Sequence, residues 1–301
     1  MSQTARSIGG LVRGWRELRR MSQLDLAVEA DISQKHLSFI ESGRSAPSRE
    51  MVLLLAEQLD VPLRERNTML LAAGFAPVFR NLPLTDPALA GALATVERLL
   101  RAHEPYPALT TDRHWNVVSA NRAVAPLLVA VDPELMKPPV NVLRVSLHPR
   151  GLAPLIVNFA EWRGHLLDRL RRQLRITRDP ELDRLLRELT AYPTGHPHAA
   201  VGSGGGAGEE IAVPLKLRTQ RGVLSFLSTV TVFGTPVEIT LSELTLEAFY
   251  PADPETLAIL RLRAVAAGAG SGEDTRPARR ARSALADRAA WSYRSRHHPA
   301  T

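Results

Sequence analysis

The sequence predicts an all-α domain of five short helices followed by an α+β domain. Between residues 8 and 75, apolar side chains recur at helical spacing in five short patterns separated by polar residues. After residue 105, short β-branched runs alternate with turn residues and with further helical patterns. The chain has 301 residues, of which 45% are hydrophobic, so it is long enough for two domains of ordinary size.

The five helices of the first domain are predicted from their apolar faces and their N-caps. The first helix covers residues 8–20 and carries Leu11, Trp15 and Leu18 on one face. A serine directly precedes each of the next three helices, where its side chain can accept a hydrogen bond from a free helix N–H: Ser22, Ser33 and Ser48. The fifth helix is expected at residues 62–73.

The second domain is predicted to mix strands with helices. Two short strands at residues 108–111 and 115–119 flank a turn at 112–114. Three further strands are expected at residues 211–218, 223–232 and 237–249. Helices are expected at residues 121–129, at 152–176, directly after Asp179 and at 254–263.

The expected organisation has four segments, bounded where the composition changes. They are the five-helix domain at 1–75, a linker with a connecting helix at 76–104, the α+β domain at 105–263, and a basic tail at 264–301. The tail is rich in Ala, Gly, Arg and Ser, so we expect it to be disordered. Of the net charge of +7, residues 261–301 carry +6, whereas residues 1–75 carry only +1.

Residues 22–43 are predicted to fold as a helix-turn-helix, which places its second helix in the major groove of DNA. Six apolar residues fall where two crossed helices would share a core: Leu26, Ala27, Ala30, Ile32, Leu37 and Ile40. The second helix leaves an outward face rich in short donors and acceptors: Ser33, Gln34, Lys35, Ser38 and Phe39. The segment therefore predicts sequence-specific binding to DNA.

This segment and its surroundings, residues 8–75, resemble the Cro/cI-type (XRE-family) helix-turn-helix regulators, whose fold is lambda-repressor-like. The matching residues are Arg16, Ser22-Gln23, Leu26-Ala27, Ile32-Ser33, Ile40-Glu41-Ser42-Gly43, Pro47-Ser48 and Leu55-Ala56. The resemblance implies a structural pair of Arg16 and Glu41 that tethers the first helix to the end of the recognition helix. Asp31 holds the turn position usually held by glycine, and we expect a positive φ there.

The same resemblance implies which side chains touch DNA. Gln23 would contact a phosphate, while Gln34 and Lys35 would read the edges of adenine and guanine. Ser38 would reach a base or a phosphate, and Phe39 a thymine methyl group. The full set expected at the interface is Ser22, Gln23, Ser33, Gln34, Lys35, Ser38, Phe39, Arg44 and Arg49, the two arginines on the DNA backbone. Because residues 1–75 carry little net charge, affinity must come from these placed groups.

Residues 105–262 resemble the ligand-binding domain of MmyB-like regulators, which has a PAS-like fold. The resemblance lies in DRHWNVVSAN at 112–121, LHPRGL at 147–152, and VNF at 157–159 with Trp162. It implies a cavity for a small, mainly apolar molecule, and fatty acids are the class associated with the fold. The expected pocket residues are the walls Trp115, Phe159, Trp162, Phe226 and Phe233, with Arg144 or Arg150 as the partner of a carboxylate.

Together these features predict a cytoplasmic, DNA-binding transcriptional regulator that senses a small apolar ligand such as a fatty acid. Because one recognition helix covers only a short half-site, we expect a homodimer on a near-palindromic double-stranded operator. The alternative is a DNA-binding regulator whose second domain only dimerises or docks a protein partner, with no small-molecule ligand.

Other classes of function have no support in the sequence. There is no cysteine and hence no thiolate metal site, and we expect neither a metal nor a cofactor. No Ser/His/Asp arrangement stands in a supporting motif, so no catalytic residue is predicted. No apolar run approaches the roughly 18 residues that span a bilayer. The first residues lack the apolar core of a signal peptide, so neither a membrane partner nor secretion is expected.

Overall fold

The computed structural model describes residues 7–194, 213–233 and 237–269. Contacts within these residues divide the chain into two units. The first unit contains residues 7–84 together with 237–242, and the second contains the other described residues. Residues 237–242 therefore pack with the N-terminal unit, although in the sequence they stand between two strands of the second domain.

The first unit contains the five helices that the sequence predicts between residues 8 and 75. They are α1 (Ile8–Leu18), α2 (Gln23–Glu29), α3 (Gln34–Glu41), α4 (Arg49–Gln58) and α5 (Leu63–Ala72). The side chains of Ser22, Ser33 and Ser48 each accept a hydrogen bond from the backbone N–H three residues further on, at 3.1–3.2 Å. The three N-caps predicted from the sequence are therefore confirmed.

Helix α1 lies very close to the end of α3 at Gly9. A Cβ atom on Gly9 would lie 2.4 Å from the carbonyl oxygen of Ile40 and 2.6 Å from that of Glu41. Any side chain at this position would have to push the backbones of the two helices apart. Gly14, on the same helix, has nothing within 4 Å of the corresponding position.

Gly9→Ala is expected to destabilise the first unit by about 1–3 kcal/mol, the usual cost of forcing extra atoms into a packed site. Gly14→Ala is expected to be neutral or to stabilise it by up to about 1 kcal/mol, because alanine favours a helix over glycine. Hydrogen exchange at the amides of α1 in the full chain measures both effects. Equal protection in the two variants would contradict the close approach at Gly9.

The second unit is built on a five-stranded antiparallel sheet. Its strands are β1 (Ala108–Thr111), β2 (Val117–Ala120), β3 (Leu215–Thr219), β4 (Gly222–Val232) and β5 (Thr245–Pro251). They lie in the order β2-β1-β5-β4-β3, so β5 is central. Glu247 of β5 pairs with Leu109 on one side and with Val230 on the other. These three residues therefore share one face of the sheet.

Helices cover the sheet and complete the second unit. They are α6 (Ala90–Ala102), α7 (Val142–Leu147), α8 (Phe159–Thr177), α9 (Pro180–Ala191) and α11 (Pro254–Ala269). Val96 and Leu100 of α6 pack against Ala108 and Ala248 on one face of the sheet. A larger apolar core joins the opposite face to α7, α8 and α9. The α+β architecture expected for the second domain is confirmed.

One helix expected in the second domain is missing from the described structure. Residues 121–129 form only turns and a short 3₁₀ helix at Ala125–Leu127. Pro126 has no N–H to donate within a helix. The side chain of Asn121 instead donates to two backbone carbonyls outside the segment, at 3.1 and 2.7 Å. These bonds anchor the start of the segment outside any helix.

The long helix expected at residues 152–176 begins later, at Phe159. Ile156 forms a β-bridge with Leu217, and the N–H of Val157 donates to the carbonyl of Lys216 at 2.8 Å. The chain is thus extended just before α8, because its backbone groups bond to β3 and not to a preceding turn.

The strand expected at residues 237–249 is wrong in its first half. Residues Ile239–Ser242 form a short helix, α10, and the strand begins only with β5. Glu238 is 6% exposed, and its carboxylate accepts hydrogen bonds from the N–H groups of Leu82 and Leu241 at 2.8 and 2.9 Å. The hydrogen bonds from backbone N–H groups to the Glu238 side chain therefore outweigh the strand propensity of the β-branched residues in this segment.

The last helix is longer than the sequence predicts. The sequence indicates a helix at 254–263 and a tail from 264, whereas α11 continues to Ala269. The rest of the expected tail, and residues 211–212 of the predicted third strand, lie outside the described residues.

Candidate nucleic-acid interface and ligand cavity

The turn between α2 and α3 presents α3 as the second helix of a helix-turn-helix. Asp31 has a φ of +53°, which is the positive value expected at this position. Ser33 then caps α3. Leu26, Leu37 and Ile40 are fully buried between the crossed helices. The local arrangement therefore follows from one unusual backbone conformation, one cap and a shared apolar core.

A buried ion pair joins α1 to the end of α3. Arg16 donates two hydrogen bonds to the carboxylate of Glu41, at 2.7 and 3.0 Å, and a third to the carbonyl of Met21 at 2.9 Å. The two side chains are 10% and 2% exposed. Gln23 adds a hydrogen bond to the same carboxylate at 2.8 Å. The amide expected to contact a phosphate therefore holds the second oxygen of Glu41 in this structure.

The surroundings of Glu41 keep its carboxylate ionised. Burial alone would raise the pKa of Glu41, but hydrogen bonds from Arg16 and Gln23 and the charges of Arg16 and Arg13 together hold it below its usual value. The hydrogen bond to Glu41 likewise raises the pKa of Arg16. The pair is thus charged on both sides and is shielded from water.

The residues expected to touch DNA divide into two groups by exposure. Six are exposed to solvent: Ser22, Ser33, Gln34, Lys35, Arg44 and Arg49. Gln23, Ser38 and Phe39 are half-buried. Gln34 and Lys35 lie in the first turn of α3, where side chains of a recognition helix reach base edges.

Two cationic side chains approach the ring of Phe39. The Nζ atom of Lys35 is 5.7 Å from the centre of its ring, and the guanidinium carbon of Arg44 is 5.8 Å from it. Both distances allow attraction between the cation and the face of the ring. The spacing of Lys35 and Phe39 along the helix could have indicated their contact. The approach of Arg44, beyond the end of α3, has no comparable signal.

The second unit contains an apolar cavity of about 100 Å³ between the sheet and the helices that cover it. Trp115, Trp162 and Phe226, three of the predicted wall residues, line it. The other lining residues are Pro107, Leu109, Val117, Ala120, Val124, Leu127, Leu128, Val140, Val142, Leu143, Val145, Ser146, Leu152, Leu166, Leu215, Leu217, Glu247 and Phe249. The walls are thus almost wholly aliphatic and aromatic.

Four of the predicted pocket residues do not line this cavity. Phe159 is buried elsewhere in the core, and Phe233 packs beside α6 on the opposite face of the sheet. Arg144 makes two hydrogen bonds to Glu188, at 2.8 and 2.7 Å. Arg150 pairs with Asp132 at 2.7 Å. Each arginine already has a carboxylate partner within the protein, so neither serves as the expected cavity cation.

Several polar side chains at or beside the cavity hydrogen-bond to one another. The indole N–H of Trp162 donates to Ser146 at 3.0 Å, and that of Trp115 donates to Gln173 at 2.7 Å. Arg169 of α8 donates to Glu247 at 2.9 Å, and its guanidinium lies 4.7 Å from the centre of the Trp115 ring. Sequence reasoning missed Arg169 and Glu247. A lone carboxylate within the apolar run TLEAF was the one available signal.

The described part of the chain holds neither a metal-binding cluster nor a membrane span. No three His, Asp or Glu side chains among these residues come together in a way that could hold a metal ion. None of the described helices is long and apolar enough to cross a membrane.

The helix-turn-helix and the apolar cavity fit a DNA-binding transcription regulator with a ligand-binding domain, which is the class that the matching family models support. Residues 12–66 match the family model of the helix-turn-helix, of the XRE type. Residues 93–262, more than half of the chain, match the MmyB-like transcription regulator ligand binding domain. The chain belongs to this family of MmyB-like regulators, as its sequence motifs indicate. No curated protein matches the chain.

Proposed function

We propose that this chain binds a specific DNA site through α3, and that a small apolar molecule in the cavity sets its affinity for that site. The cavity carries the proposal, because an unfilled space with almost wholly apolar walls has no structural role in a well-packed core. The resemblance to MmyB-like domains makes fatty acids the first ligand class to test. Such a regulator acts in the cytoplasm, beside the DNA.

On the DNA side, the proposed base readers are Gln34 and Lys35. Both are exposed at the start of α3, and their side chains suit adenine and guanine edges respectively. Arg44 and Arg49 are exposed after α3 and are proposed to contact the DNA backbone. Since the surrounding domain has almost no net charge, these few placed groups must supply the affinity.

We further propose that the active species is a homodimer on a near-palindromic operator. One recognition helix covers only a short half-site, so two copies are needed for useful affinity. A ligand can change DNA binding only if its affinity differs between two arrangements of that dimer. The test is therefore to measure the affinity for the ligand with and without operator DNA, and the affinity for DNA with and without the ligand. The two affinities must change by the same factor.

Filling the cavity is expected to abolish ligand binding. Val117→Phe adds a ring to a wall of the cavity at a buried position, whereas Val223→Phe makes the same change at a position that is 40% exposed and away from the cavity. We expect thermal stabilisation by straight-chain fatty acids or the corresponding alcohols in the parent protein and in Val223→Phe. Val117→Phe should show none.

These thermal shifts, together with mass spectrometry, distinguish a second unit that binds a ligand from one that only dimerises or docks a protein partner. Native mass spectrometry of the purified protein reports a co-purified ligand and the oligomeric state together. A dimer without ligand, combined with no thermal shift by any acid or alcohol, would favour a domain that only dimerises or docks a protein partner.

A further inference from the structure

We infer that residues 237–242, the docked segment, are the element through which the second unit acts on the DNA-binding unit, with Glu238 as the positioning residue. The inference rests on the proposed function, that the second unit controls the affinity for DNA. It goes beyond that function because it names the residues that transmit the effect, whatever molecule the cavity holds.

The docked segment is hydrogen-bonded to the linker that follows α5. Arg80 and Glu238 form a parallel β-bridge, and the N–H of Ile239 donates to the carbonyl of Arg80 at 2.9 Å. The hydroxyl of Thr240 donates to the carbonyl of Leu82 at 2.5 Å. Ile239 is buried. The segment is therefore packed and bonded as part of the N-terminal unit, although it belongs to the chain between β4 and β5.

Glu238 holds the linker and the docked segment together with a buried charge. One carboxylate oxygen accepts from the N–H of Leu82 at 2.8 Å, and the other accepts from the N–H of Leu241 at 2.9 Å. Burial would raise the pKa of Glu238, but these hydrogen bonds and those from Thr240 hold it below its usual value, so the carboxylate is ionised at neutral pH. Pulling the segment away would leave a buried charge and a buried N–H without their partners, which is costly.

The linker is fixed in turn to the helices of the N-terminal unit. Asn67 of α5 donates to the carbonyl of Phe79 at 2.7 Å, and its side-chain oxygen accepts from the N–H groups of Val78 and Phe79, both at 3.1 Å. Arg64, one turn earlier on α5, donates to the side chain of Asn81 at 3.0 Å. Helix α5 packs against α1, which the buried ion pair joins to the end of α3. A displacement of the linker must therefore be accommodated by the helices that position α3.

The other end of the docked segment leads directly into a wall of the cavity. Only Glu243 and Leu244 separate Ser242, the last residue of the segment, from the start of β5. Glu247 and Phe249 of β5 line the cavity. So short a connection absorbs little displacement. A shift of β5 must therefore either move the docked segment or break its hydrogen bonds to the linker.

This arrangement can be tested without knowing the ligand. Coupling between two sites is reciprocal, so if a change at the cavity reaches α3 through the docked segment, DNA binding at α3 must reach β5 by the same residues. Operator DNA alone is then a sufficient probe. The effect of DNA should appear at β5 and should depend on Glu238.

Hydrogen exchange of the full-length protein, with and without an operator selected from random DNA, tests the inference. Fluorescence anisotropy establishes that each variant is saturated with DNA. We expect operator DNA to change the protection of the amides of residues 245–250 at least about fivefold in the parent protein, the lower end of typical coupling between sites. In Glu238→Ala the change should fall below about twofold. Glu238→Gln, which keeps one side-chain oxygen as an acceptor, should retain part of the change.

A matched control separates this effect from a general loss of negative charge. Glu134→Ala removes an exposed carboxylate that is paired with Lys137 in the second unit, and should respond to DNA as the parent protein does. If Glu238→Ala does not fold, Thr240→Val tests the same contact, because it removes the hydroxyl that donates to Leu82 and keeps the size of the side chain. Its response at β5 should be smaller than that of the parent protein.

The outcomes distinguish this inference from the proposed function. A response at β5 that is as large in folded Glu238→Ala, or in Thr240→Val where that variant replaces it, as in the parent protein would overturn the inference and leave DNA binding intact. No response at β5 in a parent protein that binds its operator would do the same. Failure to select any operator would overturn the proposed function, and the inference with it.

Discussion

Replacing Glu41 with alanine is expected to destabilise the helix-turn-helix unit by about 3–5 kcal/mol, because it leaves a buried guanidinium without its partner. Arg16 loses two hydrogen bonds of 2.7 and 3.0 Å, and Gln23 loses one of 2.8 Å. Truncation also frees the end of α3 from α1. The loss should exceed that of Gly9→Ala, because an unpaired buried charge costs more than a local steric clash.

Hydrogen exchange at the amides of α1 and α3 in the full chain measures this loss without assuming that the two units unfold together. Arg13→Ala is the matched control, since Arg13 is 60% exposed and lies 3.7 Å from the same carboxylate. Exposed pairs of this kind contribute about 0–1 kcal/mol. Similar losses of stability in Arg13→Ala and Glu41→Ala would show that burial of the Arg16–Glu41 pair is not what stabilises the unit.

The same ion pair predicts a pH dependence with a definite sign. The pKa of Glu41 is lower in the folded unit than in the unfolded chain, where it is about 4.3. Its contribution is therefore fully present above the unfolded value and is lost as the pH falls through the folded value. Protection of the α3 amides against hydrogen exchange should stay constant from neutral pH down to about 4.3 and fall below that pH in the parent protein, and the fall should be less steep in Glu41→Gln.

Replacing Gln34 and Lys35 together with alanine is expected to remove specific DNA binding. Each bidentate contact to a base edge discriminates by about 1–3 kcal/mol, so the double variant should lose roughly 30- to 10⁴-fold in affinity for its operator. Binding to unrelated DNA should change much less. Because both side chains are exposed, the fold should be unaffected.

Fluorescence anisotropy with an operator selected from random DNA, and with unrelated DNA as competitor, measures both affinities at one salt concentration. Lys137→Ala removes an exposed lysine that is paired with Glu134 in the second unit, and so controls for loss of charge. Retention of the operator preference by the double variant would move the recognition site away from the start of α3.

The parts of the first unit that could be predicted depend on neighbouring residues. Ser22, Ser33 and Ser48 cap helices through bonds that reach three residues along the chain, so the sequence shows both partners at once. The positive φ of Asp31 is expected because the family resemblance places it at the turn position usually held by glycine. Local signals of this kind are sufficient to locate the helices and the face that α3 exposes.

The parts that could not be predicted depend on residues far apart in sequence. The sequence suggests a ligand as the partner of Arg144, but Glu188 on another helix binds it. Arg169 and Glu247 are separated by 78 positions, and only the folded sheet brings them together beside the cavity. Side chains of this type have many available partners, and the pattern of apolar residues does not choose among them.

The place of residues 237–242 has a consequence for how this architecture can be rearranged. In a regulator made by fusing two independent domains, the chain would cross from one domain to the other once. This chain instead leaves the N-terminal unit after Leu84, returns to it between β4 and β5, and then leaves it again. A fragment ending at residue 84 would lack Glu238, the acceptor for the N–H of Leu82. Exchanging the N-terminal units of two related regulators would therefore require exchanging their β4–β5 connections as well. We accordingly expect the two units to evolve together.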